Sequence, residues 1–151
     1  MTISEPFLVH AAEQRSPWRV IAGGTHTNGA LMFGDAHMPP RTAGMARHVH
    51  THEDESIYVI SGVLTVDVGE QRFDVGAGGF VWLPREVPHA FANLSDDAVW
   101  TVGVAFPAGL ERLFAEQIDY FAGLTGEPDP AVLYRLNEKY GIREGDGTRL
   151  E

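Results

Sequence analysis

The sequence predicts an all-β body, a small barrel or sandwich, followed by a two-helix tail. Three observations predict it. From about Phe7 to Phe106 turn residues punctuate the chain at a spacing of roughly 8–12 residues, the rhythm of a sandwich or barrel. The runs between them are short, apolar and rich in β-branched and aromatic residues. After Pro107 the apolar residues switch to helical spacing.

The elements follow in order. Trp18–Ile21 is apolar and stops at Gly23-Gly24, and Ala30–Phe33 follows the turn dipeptide Asn28-Gly29. Ser56–Ser61 stops at Gly62, and Val63–Val68 alternates in its second half and stops at Gly69-Glu70. Gln71–Val75 leads into Gly76-Ala77-Gly78-Gly79, Phe80–Leu83 stops at Pro84, and His89–Asn93 follows Pro88. Val99–Phe106 is the longest run. In the tail Leu110, Leu113, Phe114, Ile118, Phe121 and Leu124 form one helical stripe closed by Gly126. Asp129-Pro130 places a capping residue before a proline at the first helical position, and Leu133, Leu136 and Tyr140 make a second stripe that ends at Gly141. Residues 1–106 are therefore expected to form the β-barrel with its N-terminal strands. Residues 107–151 are expected to form a helical extension packed on its outside, with a loose polar end from Gly145 to Glu151.

The chain has 151 residues and a formal net charge of −10. A chain of this size buries roughly 68–70% of its extended surface and needs no covalent staples. The negative charge disfavours nucleic acid and anionic membranes as partners, since both call for a cationic face. With no cysteine, disulfides, thiolate nucleophiles and Cys-ligated metals are excluded. Seven histidines and the carboxylates remain as strong metal ligands. Met1–His10 lacks the basic start and apolar run of a signal peptide, and no apolar stretch approaches the ~20 residues of a membrane span, so a cytoplasmic location is expected.

The informative stretch is GMARHVHTHEDESIYVISG, Gly44 to Gly62. His48, His50 and His52 have period-two spacing and share one face of a strand. Glu55 follows just before an apolar run, and His89 comes later, in LPREVPHAFAN. Neutral imidazole with carboxylate suits Zn, Cu, Ni, Fe or Mn. Ala46 and Gly44 continue the histidine face and are small, which would leave space beside an ion. Glu53 and Asp54 are expected as solvated loop charges; the functional alternative is a carboxylate that orients a histidine ring.

His48-x-His50-x4-Glu55-x6-Gly62 resembles the first motif of the cupin superfamily, and Gly78-x5-Pro84-x4-His89-x3-Asn93 resembles the second. The second departs at Glu86, where the family usually has Gly. The resemblance covers about Gly29 to Phe106. It implies a double-stranded β-helix, or jelly roll, holding one divalent transition metal (Ni, Fe, Mn, Cu, Co or Zn) on His48, His50, Glu55 and His89. His50, His52 and Glu55 form a rival ligand set, with a His-x2-Glu gap shorter than the family pattern; the resemblance favours His52 as a neighbouring loop residue. The phrase HVHTHEDESIYVISG is similar to small cupins of the quercetin-dioxygenase type. That implies a metal-dependent dioxygenase acting with O2 on a phenolic or enol-like small molecule, with Glu55 as both ligand and proton acceptor. A redox-silent cyclase or isomerase of secondary metabolism and a non-catalytic ligand-sensing cupin are the alternatives.

Tyr58, Phe91, Asn93, Trp82 and His52 are candidates to line the substrate pocket. Phe91 and Asn93 share a face with His89, and Trp82 shares one with Phe80 on a neighbouring strand. The apolar stripe of the first tail helix must be covered by its own barrel or by a partner chain. A homodimer is expected, with the tail as outer packing rather than a lid over the barrel mouth.

Overall fold

The computed structural model describes residues 5–11 and 18–150. Ten strands form two five-stranded antiparallel sheets that face each other. The first has the order β1 (Trp18–Ala22), β2 (Met32–Met38), β9 (Val99–Phe106), β4 (Asp54–Ser61), β7 (Phe80–Leu83). The second has the order β10 (Ile142–Glu144), β3 (His48–His50), β8 (His89–Ala92), β5 (Val63–Val68), β6 (Gln71–Gly76). A single helical turn, α1 (Gly24–Thr27), follows β1, and the longer helices α2 (Leu110–Ala122) and α3 (Pro130–Lys139) lie between β9 and β10. No helix among the described residues is long and apolar enough to cross a membrane.

Alternation along the strands decides what faces inward. In β4, Glu55, Ile57 and Val59 point between the sheets, and they pair with Ala105, Gly103 and Thr101 of β9. In β8, His89 and Phe91 point inward opposite Val68 and Val66 of β5. The centre is an aliphatic cluster of Met38, Ile57, Val59, Leu64, Val66, Val81, Leu83 and Val99. Val68, Val75 and Phe91 pack against it.

The strands expected from the sequence are present, with three differences. β2 runs from Met32 to Met38 and pairs along its whole length with β9. The weak strand formers Gly34, Asp35 and Ala36 hid its second half. The short strand β10 was not expected. It closes the second sheet at the edge of the His48–His50 strand, pairing Ile142 with His50 and Glu144 with His48. The described end of the chain is also held: Arg47 N–H donates to Thr148 O, and Leu150 is buried against Ala90 and Ala92. The expected loose end from Gly145 is thus corrected over residues 145–150.

The tail helices form as predicted. Asp129 caps α3 by accepting from Ala131 N–H at 2.9 Å, with Pro130 at the first helical position. Their placement differs from the expected outer packing. Leu110 and Leu113 are buried with Met32, Ala105 and Ile142, and Phe114, Leu136 and Tyr140 pack against that cluster. Ala105 shares the inward face of Glu55, and Ile142 shares that of His50. So the first turn of α2 packs Leu110 and Leu113 against these inward-facing residues. Ile118 and Phe121, later on the same stripe, stay exposed.

Candidate metal centre

The site stands on four inward-facing positions of three strands. β3 presents His48 and His50 on one face because side chains alternate along a strand. β8 presents His89 directly opposite His48. β4 brings Glu55 from the facing sheet, paired with Ala105 and Leu83. These four residues offer ligand atoms that all lie within 4.8 Å of one another. The Nε2 atoms of His48 and His50 are 3.1 Å apart. Glu55 Oε2 lies 3.5 Å from His50 Nε2 and 3.3 Å from His89 Nε2.

The outward ring nitrogens settle which atoms face the centre. His48 Nδ1 lies 2.9 Å from Ala46 O, and His89 Nδ1 lies 3.1 Å from Val87 O. A carbonyl only accepts, so each Nδ1 carries the proton and each Nε2 presents a bare lone pair inward. His50 Nδ1 faces the Glu53 carboxylate at 3.5 Å. Two bare lone pairs, the His50 Nε2 and a carboxylate converging in a buried space is an arrangement that a cation satisfies. Without one, His89 Nε2 is a buried nitrogen lacking any hydrogen-bond partner. The residues therefore fit one divalent ion, with the mixed N/O donor set that first-row transition metals accept.

Electrostatics agree. Burial pushes His48 down to about 4, and the neighbouring His89 and His50 rings add to the effect, so it is neutral and free to ligate. Burial would raise the Glu55 carboxyl, but the His89 contact and the nearby His50 and His48 rings outweigh it and hold the group below its ordinary range. Burial would lower His50, but Glu53 and Glu55 outweigh it and raise the ring. The three histidines are at most 5% exposed, whereas the Glu55 side chain is 17% exposed. Among the four, Glu55 has the most exposed side chain.

Several sequence expectations are corrected. Tyr58 and Trp82 have the opposite parity to Glu55 and Leu83, and both are exposed on the outer face of the first sheet. Trp82 stacks on Phe106 there, at 5.4 Å between centroids, so neither residue lines the interior. Asn93 is buried, but its amide is consumed by a turn. Its Nδ2 donates to Met38 O, Pro39 O and Asp97 O, and its Oδ1 accepts from Ser95 N and Oγ. His52 is exposed in the β3–β4 loop and lies against Gly141, outside the ligand cluster. Phe91 faces inward beside His89, packed on the aliphatic cluster. Gly44 does not leave room beside the four-residue cluster: a Cβ there would collide with Phe91 O, so it lets two backbones approach closely. Glu53 is not a solvated loop charge, since its side chain is 5% exposed. Asp54 is partly buried and paired with Arg85 at 2.8 Å. The period-two pattern carries no signal for Glu53, because a loop residue has no strand face to be read from.

Residues 34–104 match the cupin domain family. Over 115 residues the chain is 26% identical to the HTH-type transcriptional regulator RipA of Corynebacterium glutamicum, a match that covers 76% of this chain and 33% of RipA. Over 53 residues it is 30% identical to the polyketide synthase CurC of Streptomyces cyaneus, which covers 35% of this chain and 34% of CurC. The matches thus span about a third of the length of these curated relatives. The structure of a cupin protein from Bacteroides fragilis superposes with a TM-score of 0.58 at 13% identity, covering 82% of this chain and 92% of the other. The family match over residues 34–104, the two facing sheets and the two motifs in their order together identify a cupin domain in the β body of this chain.

Proposed function

We propose that this chain is a metal-dependent cupin enzyme, a dioxygenase that acts on a phenolic or enol-like small molecule. One observation carries the reading: the most exposed side chain of the four is that of Glu55, whose carboxylate is able to accept a proton, while the three histidines are buried. A bound divalent ion would supply Lewis acidity and, if redox-active, a path for electrons to O2. His48, His50 and His89 would hold it. Glu55 Oε2 faces the histidine nitrogens, which leaves the other carboxylate oxygen to take a proton from a substrate hydroxyl. The histidine rings hold this carboxyl below its ordinary range and so keep it ionised at neutral pH.

The test is oxygen uptake by metal-replete protein with a flavonol such as quercetin, in wild type and in Glu55→Gln. Uptake coupled to substrate loss, and abolished in the variant, is expected. Substrate turnover that proceeds equally without O2 would favour a cyclase or isomerase instead, a reading that the match to a polyketide synthase supports. Binding of a small molecule with no turnover would favour a ligand-sensing cupin, which the match to a transcriptional regulator supports.

A further inference from the structure

The loop from β3 to β4 spans only Thr51–Glu53, and it buries a carboxylate that the four-ligand cluster does not use. Taking a carboxylate out of water is costly unless a partner meets it. Here Glu53 Oε2 has no hydrogen-bond partner within normal limits, and neither does His50 Nδ1. These two buried, unsatisfied atoms face each other at 3.5 Å. The pairing completes a pattern. The other two ligand rings are fixed from behind by backbone carbonyls, Ala46 O for His48 and Val87 O for His89. His50 has no carbonyl at its Nδ1; it has Glu53.

We propose that Glu53 is a positioning residue of the metal centre: its carboxylate accepts the His50 Nδ1 proton, fixes the ring with Nε2 facing the ion, and makes His50 the strongest nitrogen donor of the three. An anionic acceptor polarises an imidazole more than a neutral carbonyl does. Glu53 is not itself a ligand, because it meets the ring nitrogen that points away from the cluster. Its other oxygen, Oε1, would lie 3.4 Å from a Cβ on Gly109, the residue that caps the start of α2. The entry to the tail helix thus lies against the carboxylate, and a side chain at that position would crowd it. The proposal rests on the metal reading of the four-residue cluster but not on the dioxygenase reading.

The test uses the full chain loaded with Co²⁺, whose visible absorption reports the ligand field. Affinity is measured by competition with a chelator in wild type, Glu53→Gln, Glu53→Asp and the neighbouring control Asp54→Asn. Glu53→Gln is expected to weaken Co²⁺ binding about ten- to hundredfold and to shift the visible bands. Asp54→Asn should leave both unchanged, and Glu53→Asp should recover part of the loss. Metal-free unfolding should move little in Glu53→Gln, since a neutral amide relieves a buried charge; a merely structural residue would show the reverse pattern. Equal affinity and identical bands in wild type and Glu53→Gln would overturn the proposal while leaving the metal site standing. A second readout needs no variant: in the Zn²⁺-loaded wild type, the His50 Nδ1 proton should give a downfield, slowly exchanging NMR signal. Its absence would overturn the proposal whatever the variants do. A wild-type chain that takes up no Co²⁺ would overturn both this proposal and the site on which it rests.

Discussion

His48 and His89 sit directly opposite each other across the β3–β8 pair, and each ring donates its Nδ1 proton to the carbonyl two residues before it, at 2.9 and 3.1 Å. Two strands therefore use the same local device to aim a bare Nε2 inward. The pleat supplies the face and the i−2 carbonyl supplies the tautomer. Each ring is oriented by its own backbone before any ion arrives.

Replacing His48, His50 or His89 with Ala should each remove most bound metal while the sandwich stays folded. Elemental analysis of protein purified without a polyhistidine tag, alongside circular dichroism, checks this. His52→Ala should keep near-normal metal content, because His52 is exposed and outside the cluster.

Glu55→Gln should separate binding from chemistry. Gln keeps the shape and one oxygen ligand but has no carboxylate to accept a proton. Partial metal retention is expected, with turnover reduced by ~10²–10⁴, the range for loss of a general base. Steady-state rates on the substrate identified by oxygen uptake make the comparison.

Acid should weaken both the fold and the site. His48 titrates near 4 when folded and near 6.5 when unfolded. Between those values the unfolded chain holds a proton that the folded chain lacks, so stability falls as pH falls from 6.5 to about 4. Glu55, depressed in the fold, adds to the loss as pH drops through its folded value. His50, raised in the fold, opposes it: its contribution is present at low pH and is lost as pH rises through its folded value. The melting temperature of metal-free protein should decline from pH 7 to pH 4. Bound metal should be released over the same range, because each ligand must be deprotonated to bind.

The tail should prove inseparable from the site. Leu113→Ala is expected to cost about 2–5 kcal/mol, as for a buried leucine in a cluster that cannot collapse. Deleting residues 107–151 removes both the packing of Leu110 and Leu113 on the sandwich and β10 from the edge of the histidine strand. Aggregation with loss of metal is expected; a soluble, metal-replete fragment would show that the helices are dispensable packing.

Self-association should involve the outer face of the first sheet. Tyr58, Phe80 and Trp82 are exposed side by side there, with Phe80 61% exposed. A homodimer is expected by sedimentation, and Trp82→Asp should shift it toward monomer. A wild type that sediments as a monomer at micromolar concentration would contradict this.

What the sequence revealed follows from periodicity. Turn dipeptides delimit most strands, and period two places His48 and His50 on one face, so the cluster of His48, His50, Glu55 and His89 was legible once both motifs were read in order. Asp129-Pro130 marked the start of α3 for a local reason that needs no tertiary context. What was missed depends on contacts distant in sequence. Ile142–Glu144 is too short to show a period and becomes a strand only beside β3. The parity of Tyr58 and Trp82 was readable, but which face of the first sheet is inward is fixed by Glu55 meeting His50 and His89 and by Leu83 packing with Leu64 and Val66 of the opposite sheet. Glu53 looks like its exposed neighbour His52 in sequence, and only the packing of Gly109 and His50 around it makes it a buried carboxylate.

The most direct test of the account is a crystal structure of this chain with anomalous data collected at the absorption edge of its bound metal. A single peak is expected within about 2.0–2.2 Å of the Nε2 atoms of His48, His50 and His89 and of a Glu55 oxygen. No peak among these four residues, or one ligated by His52 in place of His48, would contradict it.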